Sequence, residues 1–109
     1  MPDSPGAVVV RVEHAVPDYD RWKREGFDRD PIGRARGGVR RYRVLRAVDQ
    51  PALVAVELEF ADRAAAESFA TALAEMWTRV RERFGWRELP EARLFDLTES
   101  SEAQSWPSP

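Results

Sequence analysis

Residues 53–85 read LVAVELEFADRAAAESFATALAEMWTRVRERFG. In the first eight, Val54, Val56, Leu58 and Phe60 share one parity and are all apolar, while Leu53, Ala55, Glu57 and Glu59 share the other. A period of two predicts a strand with one face buried against helices and one mixed face. Asp62 follows as an N-cap, because a short carboxylate accepts the backbone N–H groups that the first helical turn leaves free. From there Ala66, Phe69, Ala70, Leu73, Trp77, Val80 and Phe84 form one apolar stripe at helical spacing. Gly85 is the stop signal.

Working outward, "VRRYRVLRA" at 39–47 is a second strand, and "VDQPA" turns the chain with Pro51 set for the turn. This strand and 53–60 form a hairpin with two possible registers. One places Arg40 opposite Glu59 and Tyr42 opposite Glu57. The other places Arg41 and Arg43 opposite those acids. Either way a basic strand faces an acidic pair, each cross-strand contact contributing roughly 0.2–1 kcal/mol. Upstream, "AVVVRVEHA" at 7–15 is a β-branched strand with Val8, Val10, Val12 and His14 on one face and Val9, Arg11 and Glu13 on the other. "PDYDRWKREGF" starts a helix capped by Asp18, with Tyr19, Trp22 and Lys23 at i, i+3 and i+4. Gly26 and Pro31 shorten it, and Gly37–Gly38 breaks the chain before the hairpin. Downstream, Trp86 leads toward a last short strand, "EARLFDL", at 91–97. The order β-α-β-β-α-β predicts an α+β domain with a four-stranded antiparallel sheet, the split βαβ arrangement of ferredoxin-like folds.

At 109 residues the chain has room for one domain, expected at 7–97. The segments 1–6 and 98–109 are rich in Pro, Ser and acid and are expected to be disordered. Trp106 in the tail is then mobile, or docks on the domain or on a partner. A hydrophobic content of 43% supports a core, and a charged content of 33% suits a water-facing surface. A net charge of −2 provides no field to gather nucleic acid or an anionic membrane, so neither is expected as a partner. The absence of cysteine excludes disulfides, thiolate catalysis and Cys-ligated metals. With no bilayer-length apolar run and no signal-like start, the expected location is the cytoplasm. Of seventeen basic residues only Lys23 is lysine. The arginine excess fits a GC-rich coding bias, and arginine can also fork a carboxylate.

The segments "HAVPDYDRWK", "DPIGR", "GVRRYRVLR", "DQP" and "ELEF", followed by an Ala-rich helix, resemble small bacterial proteins of the dimeric α+β barrel superfamily. The nearest likeness is to an actinobacterial group with a similar "DPxGR" loop, and it covers about residues 8–97. The resemblance implies a homodimer whose two sheets face each other, with helices outside and a ligand cavity between each sheet and its own helices. It makes the chain's partners a second copy of itself and a small-molecule ligand. Relatives include quinone-forming monooxygenases that use no cofactor, aromatic polyketide cyclases, lactone isomerases and haem-degrading enzymes. Fold likeness of this kind does not choose among them. The haem-degrading members use an Asn–Trp–His set with a helical His. This chain has no Asn, and its single His ends a strand. The monooxygenases also use an Asn beside a Trp. Trp77 can take the Trp role, but the Asn has no counterpart.

His14 is the acid–base candidate, since its parity puts it on the helix-facing side where the first strand hands over to the first helix. The structural alternative is a histidine that satisfies strand-end backbone groups. Arg34 in the "DPIGR" loop can clamp a carboxylate or enolate. Its alternative is an ion pair with Asp30 or Asp28 that orders the loop. Arg34 or Tyr42 would hold a developing oxyanion. Trp22, Phe27, Phe69 and Trp77 are candidate ligand-binding aromatics, otherwise core. Glu57 is a candidate cavity residue, otherwise part of the sheet's ion pairs. One histidine with no acidic cluster at ligand spacing is a poor metal site, so neither metal nor cofactor is expected. "GRARGG" is not a phosphate loop, because no strand leads into it and no Lys-Ser/Thr follows. The expected function is a homodimer that binds a small aromatic or polyketide-like metabolite and performs cofactor-free proton transfer, cyclisation or oxygenation on it. The alternative is a non-catalytic binding or structural dimer.

Overall fold

A computed structural model describes residues 6–102. Most of both ends expected to be disordered, and Trp106, lie outside them. The elements are β1 (Val8–Ala15), α1 (Tyr19–Glu25), β2 (Val39–Arg46), β3 (Leu53–Phe60), α2 (Arg63–Phe84) and β4 (Glu91–Asp96), with a 3₁₀ turn at Phe27–Arg29 after α1. The sheet order is β2-β3-β1-β4 with all neighbours antiparallel. The chain is therefore α+β, in the ferredoxin-like arrangement expected from its sequence.

Each helix begins where its capping signal lies. The Asp18 carboxylate accepts the Arg21 N–H at 3.0 Å, and the Asp62 carboxylate accepts the Ala65 N–H at 2.9 Å. Gly85 closes α2 at φ 67°, a left-handed conformation that costs an L side chain about 1–2 kcal/mol. The Gly85 and Trp86 N–H groups then satisfy carbonyls of the last turn.

The hairpin takes the second of the two expected registers. Arg41 lies opposite Glu59 and Arg43 opposite Glu57, with an irregularity between Val39 and Arg41. Arg40 thus leaves the ladder, yet its guanidinium remains 3.7 Å from the Glu59 carboxylate.

Parity sorts the sheet into two faces. Val8, Val10, Val54 and Phe60 are fully buried beneath the helices, beside Val12, Val56, Leu58, Ala66, Phe69 and Trp77. Burying each large apolar side chain contributes about 1.5–3 kcal/mol. Among the described residues no helix lies over the opposite face. It carries Val9, Leu45, Ala55 and Phe95 around an ion ladder, and Leu45 and Phe95 are exposed. Glu57 sits between Arg43 and Arg11, bonded to both, with Arg43 Nη2 at 2.5 Å. No helix among the described residues is long and apolar enough to cross a membrane.

Gly37 lets the loop before β2 pass directly over the buried Phe69 ring. A Cβ at this position would lie 2.5 Å from Phe69 Cδ2. Gly37→Ala must shift a buried ring that packs against Phe60, so it should destabilise the fold by about 1–3 kcal/mol. Urea unfolding checks this: the midpoint falls at an unchanged slope.

Candidate functional site

The helices do not cover the sheet evenly. α2 lies along it, with Ala66 and Phe69 buried near its start. α1 is short, and its one buried residue is Trp22. α1 stands off the strands, and the space beneath it is a cavity of about 300 Å³. Val12, Val56 and Leu58 form the floor, and Leu73, Met76, Trp77, Val80 and Phe84 of α2 form one wall. Trp22, Gly26, Phe27 and Ile32 close the other side. The stripe residues Leu73, Val80 and Phe84 stay only half-buried because they border this space.

His14 lines the cavity at the end of β1. Its ring stands edge-on to Trp22 at 5.7 Å and to Trp86 at 5.5 Å. Nδ1 is buried and has no hydrogen-bond partner among the described residues. That leaves Nε2 as the nitrogen able to meet a ligand. Burial in this aromatic box pushes the imidazole pKa down to about 4, since a proton there would lose its hydration with no anion to replace it. His14 is therefore neutral at physiological pH. It can accept a hydrogen bond or a proton, but as a base it is weak until a bound anion or a structural change offsets the desolvation.

The rim is polar and carries Glu25, Arg29, Asp30, Arg34 and Arg83. The Arg21 side chain, bonded to Glu25 at 2.8 Å, holds the Glu25 carboxyl below its ordinary range. Arg34 is built into the "DPIGR" loop. Its Nη1 donates to the Phe27 carbonyl at 2.8 Å and lies 3.6 Å from the Asp30 carboxylate, which also accepts the Arg34 backbone N–H. The guanidinium lies 3.9 Å from the Phe27 ring centre and 4.9 Å from that of Tyr42. Asp30, in the left-handed region at φ 49°, makes the turn that allows this wrapping.

Of the residues singled out in the sequence, His14, Trp22, Phe27, Arg34, Phe69 and Trp77 all line the cavity. Two do not. Tyr42 is 49% exposed and lies edge-on to Phe27 with the Arg34 guanidinium over its ring. Its hydroxyl is therefore not among the cavity's polar groups. Glu57 belongs to the other face of the sheet, where Arg43 and then Arg11 hold its carboxyl below its ordinary range. Its parity with Leu53 and Ala55 already places it there. Met76 and Ile32 join the site without a sequence signal of their own, while Phe84 comes from the apolar stripe of α2 and Trp86 from the residue after the Gly85 stop. Those two rings stack at 5.3 Å, which brings the Trp86 indole back onto His14.

A scan against protein-family models finds no match to this chain, and a search of curated proteins finds none either.

The buried imidazole makes a pH prediction. Unfolded, His14 titrates near 6.5; folded, it titrates near 4. The unfolded chain therefore takes up a proton first, and stability present above pH 6.5 is lost as pH falls toward 4. At pH 5 the loss is about 1–2 kcal/mol. His14→Phe should flatten the fall in thermal midpoint between pH 7 and 5. A single histidine also gives one imidazole Cε1–H resonance in the described domain. Its NMR titration midpoint should lie near 4, and a value near 6.5 would contradict the aromatic box.

Proposed function

We propose that the chain binds a small, aromatic or polyketide-like metabolite in the cavity beneath α1, with His14 as its polar anchor. One observation carries this reading: an aromatic-walled space of about 300 Å³ holds the single histidine, neutral and with no partner for its buried Nδ1 among the described residues. A volume at the lower end of the range for small-molecule sites suits a compound of about two fused rings. Trp22, Trp77 and Trp86 supply flat apolar walls, and Nε2 of His14 accepts a hydrogen bond from a ligand hydroxyl.

Proton chemistry is the second reading, and His14 supports it because a neutral imidazole is ready to accept a proton. The oxyanion partner weighs against it. Tyr42 lies outside the cavity, and Arg34 spends Nη1 on the loop carbonyl and Asp30. Binding without turnover therefore has the stronger support.

We propose a second copy of the chain as the occupant of the open sheet face, as the resemblance to dimeric α+β barrels implies. Leu45 and Phe95 offer apolar contact at either side of that face. Glu13, Glu57 and Glu59 are already paired within the chain, while Glu91 and Arg93 form no ion pair among the described residues and leave one charge of each sign, so a self-complementary surface fits better than a partner of one charge.

Two experiments test these readings. Titration with 2-naphthol should change the tryptophan emission saturably, and Leu73→Trp, which fills the cavity, should remove the response while the fold persists by circular dichroism. A response that does not saturate, or that survives Leu73→Trp, would sink the pocket. Sedimentation should give about twice the 12.5 kDa chain mass, and Leu45→Arg with Phe95→Arg should return it to the single-chain value. A concentration-independent 12.5 kDa species in the wild type would remove the dimer.

A further inference from the structure

The cavity's interior is apolar, but its mouth is not balanced in charge. Three carboxylates lie on the segment that frames it, and each is already taken. Glu25 is bonded to Arg21 at 2.8 Å, Asp28 to Lys23 at 2.5 Å, and Asp30 to the Arg34 backbone N–H at 2.8 Å. Arg29 and Arg83 also border the opening and form no ion pair with any described residue. Glu25 moreover stands within the field of three guanidiniums, those of Arg21, Arg83 and Arg24. Among the lining residues two carboxylates, Glu25 and Asp30, stand against three guanidiniums, Arg29, Arg34 and Arg83, which leaves an excess of positive charge. It does so on a chain whose net charge is −2. Placed by two different elements, the turn after α1 and the last turn of α2, these arginines converge on the same opening.

From this arrangement we infer that the cavity takes an amphipathic anion: a compact aromatic body inside, and a carboxylate at the mouth held by Arg29 and Arg83. The inference rests on the ligand-binding reading above and narrows it to a substrate class. Arginine suits the task, because its planar fork meets both oxygens of a carboxylate. The apolar floor explains why a bare anion would not suffice. A carboxylate alone would gain only the exposed electrostatic contact, which salt screens. A ring system adds buried area beside Trp22 and Trp77. The charged end need not enter the interior, where it would lose its hydration without a partner.

The test compares three probes of similar shape: 2-naphthoate, 2-naphthamide and 2-naphthol. Calorimetry at low salt should show 2-naphthoate binding at least about tenfold more tightly than 2-naphthamide, the worth of one good charge-assisted contact. Arg29→Gln with Arg83→Gln changes only exposed side chains. It should cut that preference to within about threefold and leave the amide's affinity unchanged. Equal binding of acid and amide by the wild type would overturn the anion assignment while leaving the pocket in place. A preference that survives the double substitution would overturn the assignment of the carboxylate to Arg29 and Arg83. Binding of none of the three would overturn the pocket and the assignment together.

Discussion

The burial of alternate residues of β1 and β3 beneath α2 is the constraint on which the rest depends. Val8, Val10, Val54 and Phe60 have almost no contact with water. They reach that state only if the strands pair with these side chains on one face, so a one-residue slip would reverse both faces. Pairing Val10 with Leu58 and Val12 with Val56 fixes the sheet's centre. The edge strands then follow. β2 brings arginines opposite Glu57 and Glu59 on the outer face, and β4 brings Leu94 and Ala92 to the inner one.

The same burial explains why a cavity exists. α2 spans 22 residues, which at about 1.5 Å each exceeds the length of the 8-residue strands below it. Its second half therefore projects toward the end of the sheet, where α1 is too short to fill the remaining space. Trp22 and Trp77 stand on opposite walls of that space. Gly26 lets α1 end tightly. A Cβ there would lie 2.8 Å from the Trp22 carbonyl oxygen and 3.4 Å from the Phe84 ring.

The fold could be read in the sequence because its signals were redundant. Parity marked the strands, Asp18 and Asp62 marked helix starts, and Gly85 marked a stop. The hairpin register could not be read to one residue, since β2 offers arginine at 40, 41 and 43 and either register meets the glutamates. The turn decides it: the Ala47 N–H donates to the Leu53 carbonyl and sets Arg46 opposite Val54. For the site, strand parity placed His14 facing the helices and Glu57 facing away. Parity could not place Tyr42, which shares the inner face of the sheet. It lies on an edge strand, beyond the reach of α2, and packs outward on Phe27. Nor could it place Trp86, whose return to His14 depends on how the chain leaves the left-handed Gly85.

His14 is the point where the fold's needs and the local chemistry part. Val8, Val10 and Val12 precede it on the same face, and each partners an apolar residue of β3. A fourth aliphatic residue opposite Val54 would continue that series and pack against Trp22. Histidine in its place loses hydration and leaves Nδ1 without a bond, which costs about 1–3 kcal/mol for a buried polar atom. No backbone group among the described residues draws a compensating bond from Nδ1, so strand termination does not account for it. A position that departs from the local pattern without a structural return is where a role outside folding is expected. Here the departure faces the space beneath α1, with arginines at its mouth. The imidazole and the cavity therefore explain each other: the space gives a nitrogen something to meet, and the nitrogen gives an apolar space a direction.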